Sequence, residues 1–291
     1  MNERVATSLS RGDASRAARA ALEEKRRRLE ALLRSFRRTL IAYSGGVDSA
    51  VLLVEAHRVL GVDALGVIAE SPSLPRSELD AALSLASLRG IAVRVIRTNE
   101  MDRERYRENG PDRCYHCKTE LFERLERLAG EEGWDTLAYG AVTDDLADVR
   151  PGMAAAEELR VRAPLLEAAL SKVEVRALAR SLGLRVWDKP QSACLASRIP
   201  RGTPVTVERL RQVELGEEAL RERFGLRVVR LRHEGWKARI EVAADDIPRL
   251  AEPATNRVIL SLLNGLGFTE VEIDPRGYRR PDPLPSLDLE D

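Results

Sequence analysis

The chain reads as an α/β protein, with a doubly wound parallel sheet in its first two thirds and a smaller α+β unit behind it. Three observations predict this. Short apolar runs alternate with amphipathic stretches between residues 40 and 140. A glycine turn joins the first run to the first stretch. Late in the chain, two runs with period-two alternation flank His233-Glu234-Gly235-Trp236-Lys237, the pattern of a hairpin. Strands are expected at 40–43, 65–69, 93–96 and 136–139, each apolar enough to be buried on both faces. Helices are expected at 48–60, 77–89 and 119–129, and again at 170–182, where Gly183 provides a stop. The second unit reads helix 207–224, strands 227–232 and 238–242, helix 256–266 and strand 268–273. The expected division is 1–194, 195–275 and an irregular, disordered tail at 276–291, whose prolines and glycine sustain neither helix nor strand.

Before the first strand, Leu22, Leu29, Leu32, Leu33 and Phe36 recur at helical spacing within 14–38, and the first dozen residues are expected to fray. The arginines there alternate with Glu23, Glu24 and Glu30, so the polar face is solvated rather than a nucleic-acid arm. Over the 291 residues, 47 basic and 47 acidic side chains cancel, which argues against nonspecific nucleic-acid binding. No apolar run reaches membrane length. Three cysteines are too few for a disulfide framework, and a reducing cytoplasm is the expected location.

The run Ser44-Gly45-Gly46-Val47-Asp48-Ser49 sits between the first strand and the first helix. Glycines let the backbone approach a ligand, and free N–H groups with the dipole of the new helix favour an anion there. Ser44 and Ser49 add hydroxyls, and Asp48 can hold Mg²⁺ against phosphate oxygens. The run lacks the lysine of a Walker A loop and the three glycines of a dinucleotide fingerprint. It resembles the PP-loop of ATP pyrophosphatases, which cleave ATP between the α and β phosphates and adenylate a carbonyl oxygen.

Cys114-Tyr115-His116-Cys117 is a Cys-x-x-Cys pair placed before a helix. It could be redox active, supply two ligands to a metal or cluster, or consist of two inert thiols. Cys194 could add a third ligand to a [4Fe–4S] cluster. No histidine falls at zinc-finger spacing. Lys189 and Arg198 near Cys194 are expected to favour its thiolate, and such a thiolate can displace AMP from an adenylated carbonyl. Arg230 and Arg232 share one face of a strand, as do Arg239 and Glu241. Solvated charges explain them ordinarily; the alternative is a phosphate clamp with Glu241 as a metal ligand. Asp144 and Asp145 follow a strand end and could reach Mg²⁺.

The run Asp188-Lys189-Pro190, then Ala193-Cys194-Leu195-Ala196-Ser197-Arg198-Ile199-Pro200, then Gly202-Thr203-Pro204, is similar to that of the ATP-dependent sulfur transferases of the LarE family, which serve lactate racemase cofactor synthesis. The resemblance spans about residues 29–274. It implies adenylation of pyridinium-3,5-biscarboxylic acid mononucleotide, release of pyrophosphate and installation of sulfur, giving the precursor of a nickel-pincer cofactor. It implies Cys194 as the sulfur-handling cysteine and Ser44, Gly45, Gly46, Asp48, Ser49, Asp145, Ser197, Arg198, Arg230 and Arg232 as ligand-binding residues. It further implies Asp48 and Glu241 as metal-site positions. Members with Cys114, Cys117 and Cys194 together resemble cluster-dependent enzymes that bind [4Fe–4S]. ATP, Mg²⁺ and that cluster are therefore the expected cofactors. A homo-oligomer is expected, with handover to carboxylase and nickel-insertion proteins of the same pathway. The Asn of the Gly-Thr-Asn usual before the paired aspartates is absent from Gly140-Ala141-Val142-Thr143. The competing functions are a tRNA thiolase, an ammonia-dependent synthetase and an ATP-binding regulator.

Overall fold

A computed structural model describes residues 2–146, 151–190 and 194–279, with side chains from residue 15 onward. Residues 191–193 of the connector, Ala193 included, and 280–291 of the expected tail lie outside the described residues. In chain order the elements are α1 (Asn2–Ser35), β1 (Thr39–Ala42), α2 (Val47–Leu60), β2 (Ala64–Glu70), α3 (Arg76–Leu88), β3 (Val93–Arg97), α4 (Glu104–Arg107), α5 (Arg113–Glu132), β4 (Thr136–Tyr139), α6 (Pro151–Glu158), α7 (Pro164–Glu167) and α8 (Lys172–Ser181). They continue as α9 (Val207–Phe224), β5 (Val229–Glu234), β6 (Lys237–Val242), α10 (Ile247–Ala251), α11 (Pro253–Asn264) and β7 (Glu270–Ile273).

The first sheet has four strands in the order β3-β2-β1-β4, and all its pairings are parallel. Its residues divide by parity, because successive side chains of a strand point to opposite faces. Ile41 and Ile68 join a core with Leu29, Leu33, Val51, Leu52 and Val175. Leu40, Ala42, Leu65 and Val67 join another with Phe122, Leu125, Ala155 and Ala156. Helices thus cover both faces, which is why β1 and β2 read as apolar runs; the edge strand β3 is not buried as expected, since Arg94 and Arg97 interrupt it and Val95 is exposed.

Helix α1 holds its place through Leu22, Leu29, Leu33 and Phe36, all buried. Each such side chain contributes roughly 1.5–3 kcal/mol by leaving water. The helix runs back to Asn2, so fraying over the first dozen residues is not what the fold adopts. No proline interrupts that stretch. Helix α5 also begins earlier than expected, at Arg113, which puts Cys114 and Cys117 inside its first turns. The turn at Gly110-Pro111-Asp112 starts the helix there, before the apolar periodicity becomes visible. Helix α8 opens with a capping box in which Ser171 and Glu174 satisfy each other's backbone N–H.

The second sheet has the order β5-β6-β7, with β5 and β6 antiparallel and β6 and β7 parallel. Its core joins Leu210, Val213 and Leu220 of α9 with Leu231, Ile240, Ile259 and Phe268. Leu195, Ala196 and Ile199 of the connector are buried in that same core. Arg276–Arg279 form no helix or strand, yet they are tied down rather than disordered. The Tyr278 N–H donates to the Val242 carbonyl at 2.7 Å, and Arg276 pairs with Asp274.

Candidate active site

Two recesses and one cysteine loop carry the chemistry. The first recess, about 140 Å³, lies beyond the carboxyl ends of β1, β2 and β4. Ser44, Gly46, Asp48, Ser49, Lys118, Tyr139 and Gly140 are among its walls. Gly45 has φ 72°, and a Cβ there would stand 2.8 Å from that of Ala82. Gly140 lets the end of β4 touch the start of α2, since its Cβ would meet the Ser49 nitrogen at 2.8 Å. The Ser44 N–H donates to Ser49 Oγ at 3.1 Å, and Ser49 Oγ donates to the Gly46 carbonyl at 3.2 Å. The first intrahelical bond of α2 is from the Ala50 N–H to the Gly46 carbonyl, which leaves the amides ahead of it at the helix mouth.

Asp48 stands in this mouth. Lys172 Nζ donates to its Oδ2 at 2.6 Å, while Oδ1 is buried without any partner. Burial pushes the Asp48 carboxyl up; Lys172 pulls it down and the neighbouring Asp145 adds to the rise. A buried carboxylate oxygen without a partner, beside a second carboxylate, fits a divalent cation. Asp145 Oδ2 accepts from the Val142 N–H at 3.0 Å, and Asp144 Oδ2 accepts from the Lys172 N–H at 2.7 Å. Lys172 was not legible as a site residue in the sequence. Its signal was its place in the first turn of a helix that packs against α2.

The connector loop turns at Cys194, which precedes a short 3₁₀ turn, Leu195–Arg198. The Leu195 N–H donates to the Ser73 carbonyl at 2.8 Å, and Leu74, the next residue, lines the first recess. Cys194 and Cys117 both pack on the second core, whereas Cys114 is exposed. Burial pushes the Cys117 thiol up to about 12, with Glu100, Cys194 and Cys114 adding to the rise and Lys118 opposing it. Tyr106 is raised by burial and then by Cys194 and Cys117. Its hydroxyl meets Ser73 Oγ, which donates to Glu100 at 3.0 Å. Among the described residues, no three His, Cys, Asp or Glu side chains are grouped as a metal would need.

Lys189 and Arg198, expected to favour the Cys194 thiolate, each have a carboxylate partner. Lys189 pairs with Glu78, and Arg198, 2% exposed, pairs with the equally buried Glu217 at 2.8 Å. Arg198 also donates to the Cys194 carbonyl, at 3.1 Å. A buried guanidinium takes a carboxylate before a sulfur because leaving the charge unpaired is costly.

The second recess, about 580 Å³, is walled by Arg113, Ser197, Arg232, Arg239 and Arg276 together with Glu234, Glu241 and Asp274. Arg232 donates to both oxygens of Glu241, at 2.8 and 2.9 Å, and to the Ser197 carbonyl at 2.9 Å. Arg239 reaches Glu241 at 3.2 Å and Asp274 at 2.6 Å. Glu241 thus gives both oxygens to arginines, and as arranged it is an ion-pair partner rather than a metal ligand. Arg230 is absent from the recess wall; its guanidinium lies 5.4 Å from the Tyr278 ring centre. Burial, and then Arg198, lower its pKa.

A glycine-lined mouth at the carboxyl edge of a parallel sheet, with a cysteine loop beside it, defines an α/β protein with a recess built for an anion. No family model matches the chain. It is 42% identical to the uncharacterized protein slr1717 of Synechocystis, over 89% of this chain and 96% of that one. It is 35% identical to the pyridinium-3,5-bisthiocarboxylic acid mononucleotide synthase of Lactiplantibacillus plantarum, over 89% of this chain and 94% of that one. The chain belongs to the LarE-like family of that synthase. A shorter likeness, 30% identity over 51% of each chain, links it to a glutamine-hydrolyzing GMP synthase component of Methanococcus maripaludis.

Proposed function

We propose that this protein is an ATP-dependent sulfur transferase. It would convert a carboxylate of pyridinium-3,5-biscarboxylic acid mononucleotide into a thiocarboxylate for a nickel-pincer cofactor. The observation that carries this is the contact between the two chemistries. The cysteine loop hydrogen-bonds to Ser73, whose neighbour Leu74 walls the anion recess. The product that names the Lactiplantibacillus relative supports the substrate. The partial likeness to a GMP synthase component supports nucleotide activation. In this reading the sheet is of the doubly wound, PP-loop type.

A carboxylate loses oxygen only when that oxygen is made a leaving group. ATP supplies AMP for this, and pyrophosphate departs. The helix mouth, with Ser44, Gly45, Gly46 and Ser49, binds the triphosphate; Asp48 and Asp145 would hold Mg²⁺, which neutralises phosphate charge when bound. The Cys194 thiolate attacks the acyl adenylate, AMP leaves, and a thioester remains. Removal of the Cys194 Hα with rupture of its Cβ–S bond leaves dehydroalanine on the chain and the thiocarboxylate on the nucleotide. Ser197 and Arg232 line the recess that receives the substrate phosphate. Arg198 positions the loop.

A second reading, with Cys114, Cys117 and Cys194 as ligands of a [4Fe–4S] cluster, has one observation in its favour: Cys117 senses both other thiols. Anaerobic purification with iron and sulfide analysis, followed by mass spectrometry of Cys194 after turnover, separates the two. Loss of the elements of H₂S from Cys194 without bound iron supports sacrifice; intact Cys194 with stoichiometric iron supports the cluster. A Cys194→Ala variant that forms product at an unchanged rate would sink both.

A further inference from the structure

Arg113 lies where the two halves of the site meet. It opens α5 one residue before Cys114, lines the larger recess, and is 4% exposed. Its Nη1 donates to Asn109 Oδ1 at 2.6 Å and to the Ala196 carbonyl at 2.7 Å. Both acceptors are neutral, and no carboxylate lies within ion-pair distance of it among the described residues. The other guanidiniums of the wall are matched: Arg198 by Glu217, Arg232 by Glu241, Arg239 by Glu234 and Asp274, and Arg276 by Asp274. Arg201 and Arg279, also on the wall, are exposed to solvent, and Arg201 reaches the Gly110 carbonyl.

A guanidinium stays charged at any working pH, and burying it without a counter-ion is costly. The chain nevertheless builds a frame to hold it there. Asn109 is fully buried with φ 59°, a conformation that asparagine tolerates better than most residues. Its Nδ2 donates to the carbonyls of Ile199, Pro200 and Thr203, at 3.3, 2.8 and 2.9 Å. Those bonds fix the amide so that Oδ1 faces Arg113. The charge is held in place for an anion that the protein itself does not provide.

We infer that Arg113 is a specificity residue that recognises a carboxylate on the ligand of the larger recess, at the end facing the Cys194 loop. This rests on that recess being the substrate pocket. Ala196, its anchor, lies between Cys194 and Ser197, so Arg113 meets the ligand from the cysteine loop, and the two probes below decide between a carboxylate and the phosphate that Ser197 and Arg232 would hold. A ring bearing two carboxylates presents one for activation and keeps the other as an anion. A planar fork fits that second carboxylate in a bidentate manner.

The test uses the full chain and two commercial probes, nicotinate mononucleotide and nicotinamide mononucleotide. They share ring and phosphate and differ in carboxylate against amide. By calorimetric titration the wild type should prefer the nicotinate form by roughly tenfold, the scale of one charge-assisted contact. Arg113→Met should bring the ratio close to one and leave the affinity for inorganic phosphate unchanged. Arg113→Lys, which keeps the charge and loses the fork, should fall between, and it decides the matter if the methionine variant does not fold. Equal binding of both probes by the wild type, or an undiminished ratio in the lysine variant, overturns the inference while leaving the pocket reading intact. So does a methionine variant that loses phosphate affinity and keeps the ratio. Binding of neither probe by the wild type overturns the pocket reading and the inference with it.

Discussion

Replacing Lys172 by methionine removes the charge that holds Asp48 as a carboxylate. At the 2.6 Å separation, the Coulomb attraction is about 6 kcal/mol for an effective dielectric near 20. Desolvation offsets part of it, and the side chains are 10% and 20% exposed, so a net loss of ~3 kcal/mol is expected. The sign with pH follows from the direction of the Asp48 shift. Burial already raises this carboxyl, and loss of Lys172 raises it further. A carboxyl raised in the folded state binds more protons than in the unfolded chain, so stability falls as pH rises above the ordinary carboxylate range. Lys172→Met should therefore lose more stability at pH 8 than at pH 5 in urea denaturation. Asp48→Asn in the same chain should restore most of the loss. Mg²⁺ should stabilise Lys172→Met more than it stabilises the wild type, since the cation replaces the missing charge. An equal loss at both pH values, with no rescue by Asp48→Asn, would refute the coupling.

Gly140→Ala should cost about 1–3 kcal/mol and abolish ATP binding, because its Cβ would meet backbone atoms of Ser49 and Asp48 that cannot swing aside; denaturation and nucleotide titration measure both. Glu217→Gln should cost about 3–5 kcal/mol, since Arg198 then keeps a buried charge without its carboxylate. Faster alkylation of Cys194, through a loosened loop, should accompany that loss in a timed labelling experiment. Iodoacetamide at pH 8 should label exposed Cys114 well ahead of Cys117, whose thiol stays protonated far above that pH. Peptide mapping by mass spectrometry reads the order, and equal labelling rates would contradict the burial of Cys117.

Much of the first sheet was legible because its central strands β1 and β2 are buried on both faces and all four are bounded by turn residues. Strand 136–139 matched fully, and the others shifted by one or two residues at their ends. The glycine turn was legible because its conformation is dictated locally: Gly45 must adopt positive φ wherever the turn occurs. The start of α5 was missed because its first two turns, Arg113-Cys114-Tyr115-His116-Cys117, are polar or mixed and show no apolar period. Lys172 was missed for a different reason: its partner is 124 residues away. The hairpin arginines fell on the predicted face. Arg232 lines the recess, whereas Arg230 lies against the Tyr278 ring, a difference that strand alternation does not encode.

By itself the sequence determined what local sterics and periodicity impose: the parallel α/β layer, the glycine mouth of α2, the alternating hairpin and the three thiols. Only the tertiary structure decided which charges meet. It gave Arg198 to Glu217, Glu241 to Arg232 and Arg239, and Lys172 to Asp48, and it left Arg113 among neutral oxygens. The reason is physical. Backbone preferences act within a few residues, whereas the cost of an unpaired buried charge is settled between side chains that only the packed chain brings together.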